Sequence, residues 1–256
     1  MKGDKKGLIS PDSFLGAILG RIFAVWGALM FVGTMLLIVI PVAFSYRDPG
    51  PRGVERFRRL GRWWIHSFLL LSGCRIKRVG AGNFAKGENY IVIVNHNSFI
   101  DIPISTPEIP GPNKTIAKVE LSRIPIFGII YKRGSVLVDR KNAESRRDSY
   151  RLMKAVLAEG IHMCIYPEGT RNRTNQPLGP FQDGAFRLSV DTGKAIIPAL
   201  LFNTKRVLPQ GSKTFFFWPG PMEMHFLPPV YPEGMDPKAL KEKLYKIMED
   251  YYVAHA

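Results

Sequence analysis

Twenty-three consecutive residues, Ile22 to Phe44, carry no charge. They are mostly Ala, Val, Leu, Ile, Met, Phe and Gly, with Trp26 near one end and Pro41 near the other. A helix of roughly 20 apolar residues crosses the hydrocarbon core of a bilayer, so this segment is expected to enter a membrane. A secretory signal has a shorter apolar core and a small-residue cleavage site, and Pro41 to Arg47 does not look like one. A second apolar stretch, Trp63 to Leu71, is shorter and contains His66. Trp63 and Trp64 at its head suit a helix lying in the interface. Two arrangements stay open. The helices, joined by an Arg-rich link, form a hairpin dipping into one leaflet, or the first spans and the second lies flat.

Lys and Arg number 36 against 21 Asp and Glu, a formal net charge of +15. Such a field favours polyanions. From Arg47 to Arg78 the cations are Arg47, Arg52, Arg56, Arg58, Arg59, Arg62, Arg75, Lys77 and Arg78, against only Asp48 and Glu55. Their place beside the apolar run favours anionic membrane lipid over nucleic acid, for which no recognised motif is present. Lys2, Lys5 and Lys6 flank the other end, but the Arg block outweighs them. The positive-inside bias then keeps everything after Tyr46 on the cytoplasmic face. Two cysteines, Cys74 and Cys164, are too few for a disulfide framework and fit a reducing cytosol. Cys164 lies in an apolar strand-like run and reads as a small buried hydrophobe.

After Gly80 strand-like and helix-like pieces alternate. Tyr90 to Val94, Ser135 to Val138, Ile161 to Tyr166 and Ile196 to Phe202 read as buried strands, with Met222 to Leu227 a weaker one. Pro198 argues for a strand end or edge in its run. Ser145 with Asp148 suggests a capping box for a helix stopped by Gly160. Asp183 to Thr192 is a second helix, and Asp236 and Pro237 start a third with a stripe of Leu240, Leu244, Ile247, Met248 and Tyr251. The Pro and Gly clusters at Pro107 to Pro112 and Pro228 to Gly234 read as loops. The expected fold is α/β, a mixed, mostly buried sheet flanked by helices, preceded by a two-helix membrane-anchoring segment. The division expected is a membrane-associated part, residues 1–72, and an α/β domain, residues 73–256.

Two strand ends carry chemistry. In Val94-Asn95-His96-Asn97-Ser98-Phe99-Ile100-Asp101 a buried strand ends at a histidine, followed by small polar residues suited to a helix start. Ligands bind at strand ends in α/β sheets. A histidine takes a proton from a hydroxyl at neutral pH, and a carboxylate on its other nitrogen fixes the tautomer. His96 is therefore the candidate general base and Asp101 its orienter, provided His96 sits on the turn before the helix and Asp101 in its first turns. In Tyr166-Pro167-Glu168-Gly169-Thr170-Arg171 a second strand empties into a turn. There glycine admits a ligand to the backbone and arginine offers a bidentate phosphate contact.

These stretches resemble the glycerolipid acyltransferase family, specifically the lysophosphatidate acyltransferases. That family has NH, four residues, D, where this chain has NHNSFID. It has F-P-E-G-T-R-S, where this chain has Tyr166 to Asn172. Val136-Leu-Val-Asp-Arg140 is similar to its F-I-D-R run, Ile196-Ile-Pro198-Ala to its apolar proline strand, and Ala117-Lys118-Val-Glu-Leu121 to a lysine segment. Order and spacing agree over roughly residues 75 to 205.

The resemblance implies acyl transfer from acyl-CoA or acyl carrier protein to the free hydroxyl of a lysolipid. His96 and Asp101 would be the catalytic pair. Lys118, Arg140 and Arg171 would hold a phosphate. Glu168 and Gly169, with Thr170 in the same turn, would place the glycerol, and Pro198 would shape the acyl-donor side. No metal or other cofactor is expected, since the five histidines and two cysteines show no ligand spacing. Tyr166 for Phe and Asn172 for Ser depart from the family pattern and leave acceptor choice open. A lyso-aminolipid acceptor and a non-catalytic lipid-binding role are the alternatives.

Overall fold

The computed structural model describes residues 10–11, 13–174, 176–210 and 215–256. Lys2, Lys5 and Lys6 lie outside them. The apolar run forms α1 (Phe14–Ser45), started by Ser13, whose hydroxyl accepts from the Gly16 N–H at 3.0 Å. At 1.5 Å per residue its 32 residues reach about 48 Å. The helix begins eight residues before the uncharged run and so includes Arg21.

The Arg block is not a link. Pro51 opens α2 (Pro51–Leu71), and Arg52 to Arg62 lie on it. The link is only residues 46–50. Proline at the first helical position needs no intrahelical N–H bond, and Glu55 pairs with Arg58 and Arg59 one turn on.

Then follow β1 (Arg75–Val79), β2 (Ile91–Val94), α3 (Asp101–Glu108), β3 (Asn113–Lys118), α4 (Phe127–Arg133), β4 (Ser135–Val138) and α5 (Ala143–Ala158). The chain continues with β5 (His162–Ile165), α6 (Gly184–Thr192), β6 (Ile196–Phe202), α7 (Thr204–Val207), β7 (Pro221–Phe226) and α8 (Pro237–His255). The strands form one mixed sheet in the order β1-β7-β6-β2-β5-β3-β4. From β6 to β4 all neighbours are parallel, while β7 runs antiparallel to β6 and carries β1 parallel to itself.

Alternate residues of β2 divide between the two faces. Val92 and Val94 pack with Ile38, Val42, Trp64 and Phe68 of α1 and α2. Ile91 and Ile93 pack with Met153, Leu157, Phe186, Leu240 and Leu244 of α5, α6 and α8. The sheet is thus covered on both faces, as five adjacent parallel strands require. Cys164 of β5 is fully buried.

Pro198 does not mark an edge, because β6 lies between β7 and β2. Its carbonyl accepts from the Leu227 N–H at 2.8 Å, so its missing N–H faces the antiparallel neighbour just where β7 ends, and the parallel ladder to β2 loses nothing. Asn142, rather than Ser145, caps α5 by accepting from the N–H groups of Glu144 and Ser145. Ser145 Oγ instead accepts from the Asp139 N–H. Pro107 falls inside α3, so the expected loop is shorter. Neither β1 nor β3 was expected: β1 reads Arg-Ile-Lys-Arg-Val with no buried residue.

The N-terminal helices are tied to each other and to α4 by polar bonds. Trp26 Nε1 donates to the Leu71 carbonyl at the end of α2. The buried Arg133 of α4 donates from Nη2 to the carbonyls of Ser45 at 3.1 Å and Asp48 at 2.7 Å, and from Nε to Ser45 Oγ. A guanidinium thus caps the C-terminal end of α1, where the helix dipole is negative. The opposite side of α1 leaves Val25, Leu29, Val32, Leu36, Leu37, Ile40 and Phe44 exposed. An apolar surface of that extent marks an interaction site.

His162 is buried beside this core, and its Nδ1 accepts the Tyr90 N–H at 2.9 Å. Burial lowers its pKa from 6.5 to about 4. Protonation therefore favours the unfolded chain. The stabilisation is full above about 6.5 and is lost as pH falls towards 4, on the order of 3 kcal/mol. Thermal melts of detergent-solubilised protein should show Tm falling more steeply across this window in wild type than in His162→Asn, whose amide oxygen can take the same N–H.

Candidate active site

The five parallel strands end on one edge, and the residues singled out by sequence lie along it. His96 follows β2 by two residues, Lys118 is the last residue of β3, Arg140 follows β4 by two, and Glu168 to Arg171 follow β5. Only Pro198 is set back, buried inside β6 opposite Ile93. The carboxyl edge of a parallel sheet is where such folds hold ligands.

His96 and Asp101 meet as the pattern predicts. His96 sits in the turn after β2, and Asp101 is the first residue of α3. Asp101 Oδ2 lies 2.9 Å from His96 Nδ1 and also accepts the N–H groups of Asn97 at 2.6 Å and Ser98 at 2.7 Å. Asp101 is fully buried, and Oδ1 has no hydrogen-bond partner among the described residues. With Nδ1–H directed at the carboxylate, the Nε2 lone pair is free to take a proton. The imidazole side chain retains 12% exposure, so it is reachable.

Glu168 holds the turn from beneath. It is 5% exposed, and its two oxygens accept the N–H groups of His96 at 2.9 Å and Gly179 at 3.0 Å. Burial pushes its carboxyl above the ordinary range, and those two donors pull it partly back. Gly169, with φ +70°, turns the chain so that its carbonyl accepts from Arg140 Nη1. Thr170 is exposed at the tip. Arg171 places its guanidinium 3.4 Å above the centre of the exposed Phe99 ring. Burial and then the Arg173 charge lower its pKa.

Sequence reasoning missed several supporting residues. Asn95 exchanges two hydrogen bonds with the Leu201 backbone across the sheet, at 2.7 and 3.1 Å. The Asn172 N–H donates to the His96 carbonyl at 2.6 Å, so the second turn grips the first. Tyr166 lays its ring against His96, with 4.6 Å between centres, and its hydroxyl pairs with Ser105 Oγ at 2.6 Å. A polar residue directly following a buried apolar strand was the available signal for Asn95.

An apolar cavity of about 730 Å³ opens beside this edge, between α1, α2 and the loop before α4. Phe31, Met35, Trp64, Ile65, Phe127 and Ile130 line it, and Phe99 and Ile102 bring the His96 turn and α3 to its wall. Among the described residues no group of three or more His, Cys, Asp or Glu is placed to hold a metal ion.

Residues 75–201, which carry all of these strand ends, match the family model described as Acyltransferase. The chain belongs to the acyltransferase family. It is 31% identical over 191 residues to mouse 1-acyl-sn-glycerol-3-phosphate acyltransferase alpha, covering 73% of this chain and 65% of that protein. The chain thus spans a little under two thirds of that relative's length. It is 24% identical over 260 residues to the 1-acyl-sn-glycerol-3-phosphate acyltransferase of Cocos nucifera, covering 98% of this chain and 80% of that one. The crystal structure of the 1-acyl-sn-glycerophosphate (LPA) acyltransferase PlsC from Thermotoga maritima superposes with a TM-score of 0.78 at 20% identity, over 93% of this chain and 96% of that one. The two chains share a fold.

The Glu168 brace has a direct test. A Cβ on Gly179 would sit 2.6 Å from Glu168 Oε2, whereas one on Gly184 meets open space. Gly179→Ala should cost about 2 kcal/mol through the displaced buried acceptor, a Tm loss of roughly 4–8 °C. Gly184→Ala should leave Tm near wild type. Parallel thermal melts decide it.

Proposed function

We propose that the chain transfers a fatty acyl group from an acyl thioester, acyl-CoA or acyl carrier protein, to the free sn-2 hydroxyl of 1-acyl-glycerol-3-phosphate, giving phosphatidic acid. The observation that carries the reading is one buried carboxylate oxygen holding His96 in a base-competent tautomer on a sheet edge that also bears Lys118, Arg140 and Arg171.

His96 Nε2 removes the hydroxyl proton as the oxygen attacks the thioester carbonyl. The tetrahedral oxyanion collapses, the C–S bond breaks, and the imidazolium returns the proton to the departing thiolate. Asp101 stabilises the imidazolium meanwhile. General-base assistance accounts for about 10²–10⁴ of the rate, and holding two substrates in line supplies much of the rest. Lys118, Arg140 and Arg171 bind the acceptor phosphate. Glu168 and Gly169 set the turn along which the glycerol and Thr170 lie, and Pro198 stiffens the strand behind the donor. The apolar cavity receives an acyl chain, and Phe99 places its mouth beside Arg171. The scheme uses side chains alone, with the thioester as co-substrate.

Residues 1–72 serve as the membrane-associated part and 73–256 as the acyltransferase domain. Helix α1 is the one described helix long and apolar enough to cross a membrane. The basic face of α2 meets anionic headgroups, with the sheet edge on the cytoplasmic side.

Purified protein in liposomes, given a labelled thioester and a panel of lysolipids, tests the assignment. His96→Ala should lower kcat by about 10²-fold or more with little change in acceptor KM; wild-type turnover would sink it. Arg171→Ala should lower kcat/KM about 10–100-fold for phosphate-bearing acceptors, the worth of a charged hydrogen bond, and leave phosphate-free acceptors nearly unaffected. Equal losses for both classes would remove the phosphate role. Turnover of lyso-aminolipids alone would replace the substrate.

A further inference from the structure

Between β3 and α4 the chain makes a 3-10 turn, Val119–Arg123, and then a tip whose side chains point out of the fold. Arg123, Ile124, Pro125 and Ile126 are exposed in succession. Ile124 keeps 45% of its surface, Ile126 42% and Leu121 38%. Three branched apolar side chains on one short solvent-facing loop is an unusual display.

The backbone works to maintain it. Ile126 has φ +65° and ψ −58°, and the Phe127 N–H reaches the Pro125 carbonyl at 2.7 Å. This is the strained form of the γ-turn, and a β-branched residue at positive φ is a steric outlier. The surroundings enforce it. The Gly128 N–H bonds the Ile124 carbonyl at 2.8 Å, and the same glycine packs so tightly on Ser122 that a Cβ would lie 2.3 Å from its carbonyl oxygen. Strain that keeps Ile124 and Ile126 outside has no purpose in water.

Leu121, Ile124 and Ile126 line the apolar cavity together with Val32 and Leu36 of α1, themselves about half exposed. Exposed Lys118, Arg123 and Lys132 stand around the tip, with Glu120 the acid among them.

We propose that residues 121–127 are a second membrane contact, an apolar tip that enters the headgroup–acyl boundary and opens the cavity sideways into lipid. The occupant is the bilayer itself. The tip lines the same cavity as Val32 and Leu36 on the exposed side of α1. Its cationic collar matches anionic headgroups. An acyl chain then enters the cavity from the hydrocarbon without crossing water. The proposal rests on the membrane reading of α1 and extends it to a segment of the α/β domain.

The test uses the full chain in vesicles of phosphatidylcholine and phosphatidylglycerol. The native cysteines, Cys74 and Cys164, are free and buried, so a polarity-sensitive thiol dye can be placed singly on Ile124→Cys. Ile124 has an ordinary φ of −66°, which a cysteine adopts without strain. Leu37→Cys on exposed α1 reports the anchor, and Lys246→Cys on α8 reports water. Lipids spin-labelled on the acyl chain should quench the Ile124 probe at least twofold more than the Lys246 probe, and aqueous iodide should quench it at least twofold less. Iodide quenching at Ile124 with lipid quenching at Leu37 overturns the proposal and leaves the anchor standing. Iodide quenching at both overturns the two together. Protection of Ile124 from both quenchers indicates contact between copies of the chain and overturns it as well.

Discussion

One carboxylate oxygen organises the site. Oδ2 of Asp101 collects the imidazole Nδ1, the Asn97 N–H and the Ser98 N–H, all within 2.9 Å. The two backbone donors pin the turn and the imidazole is aimed by what remains, so orientation of the imidazole and shape of the loop are one constraint. It holds only if β2 delivers His96 to this spot, which depends on strand burial on both faces and on Asn95 stitching the strand end to β6. Oδ1 of the same residue is buried without a partner among the described residues.

A second carboxylate repeats the device from the opposite side. Glu168 takes the His96 N–H, Asn172 takes the His96 carbonyl, and Tyr166 covers the imidazole face while its hydroxyl reaches Ser105, one turn along α3 from Asp101. The turn after β5 is therefore built as a vice around the turn after β2. Tyr166 and Asn172 are also the two positions at which this chain departs from the family pattern, and both make contacts of their own here.

Much of this could be read in advance because the relevant signals are local. Buried parallel strands are continuous apolar runs, and four of them stood out. The His96 and Asp101 spacing carried its own condition, a turn followed by a helix start, and α3 begins at Asp101. What escaped was set by tertiary context. Strand β1 is basic and unburied, and it forms because β7 offers a partner. The Arg-rich stretch looked like a connector from composition, yet Pro51 and the Glu55 pairs make it helix. Pro198 seemed to exclude an interior strand, but the neighbour it faces ends at that level. The brace at Glu168 depends on Gly179, eleven residues away across a loop, a distance at which no pattern speaks.

The guanidinium of Arg133 on the end of α1 has a mechanical consequence. A helix bonded to the body at its terminus is not held by a loose tether, so the long helix and the sheet edge are joined as a lever and its load. If α1 lies in a bilayer, a change of bilayer thickness would be met by leaning the whole molecule, sheet edge included, rather than by bending at the five-residue link.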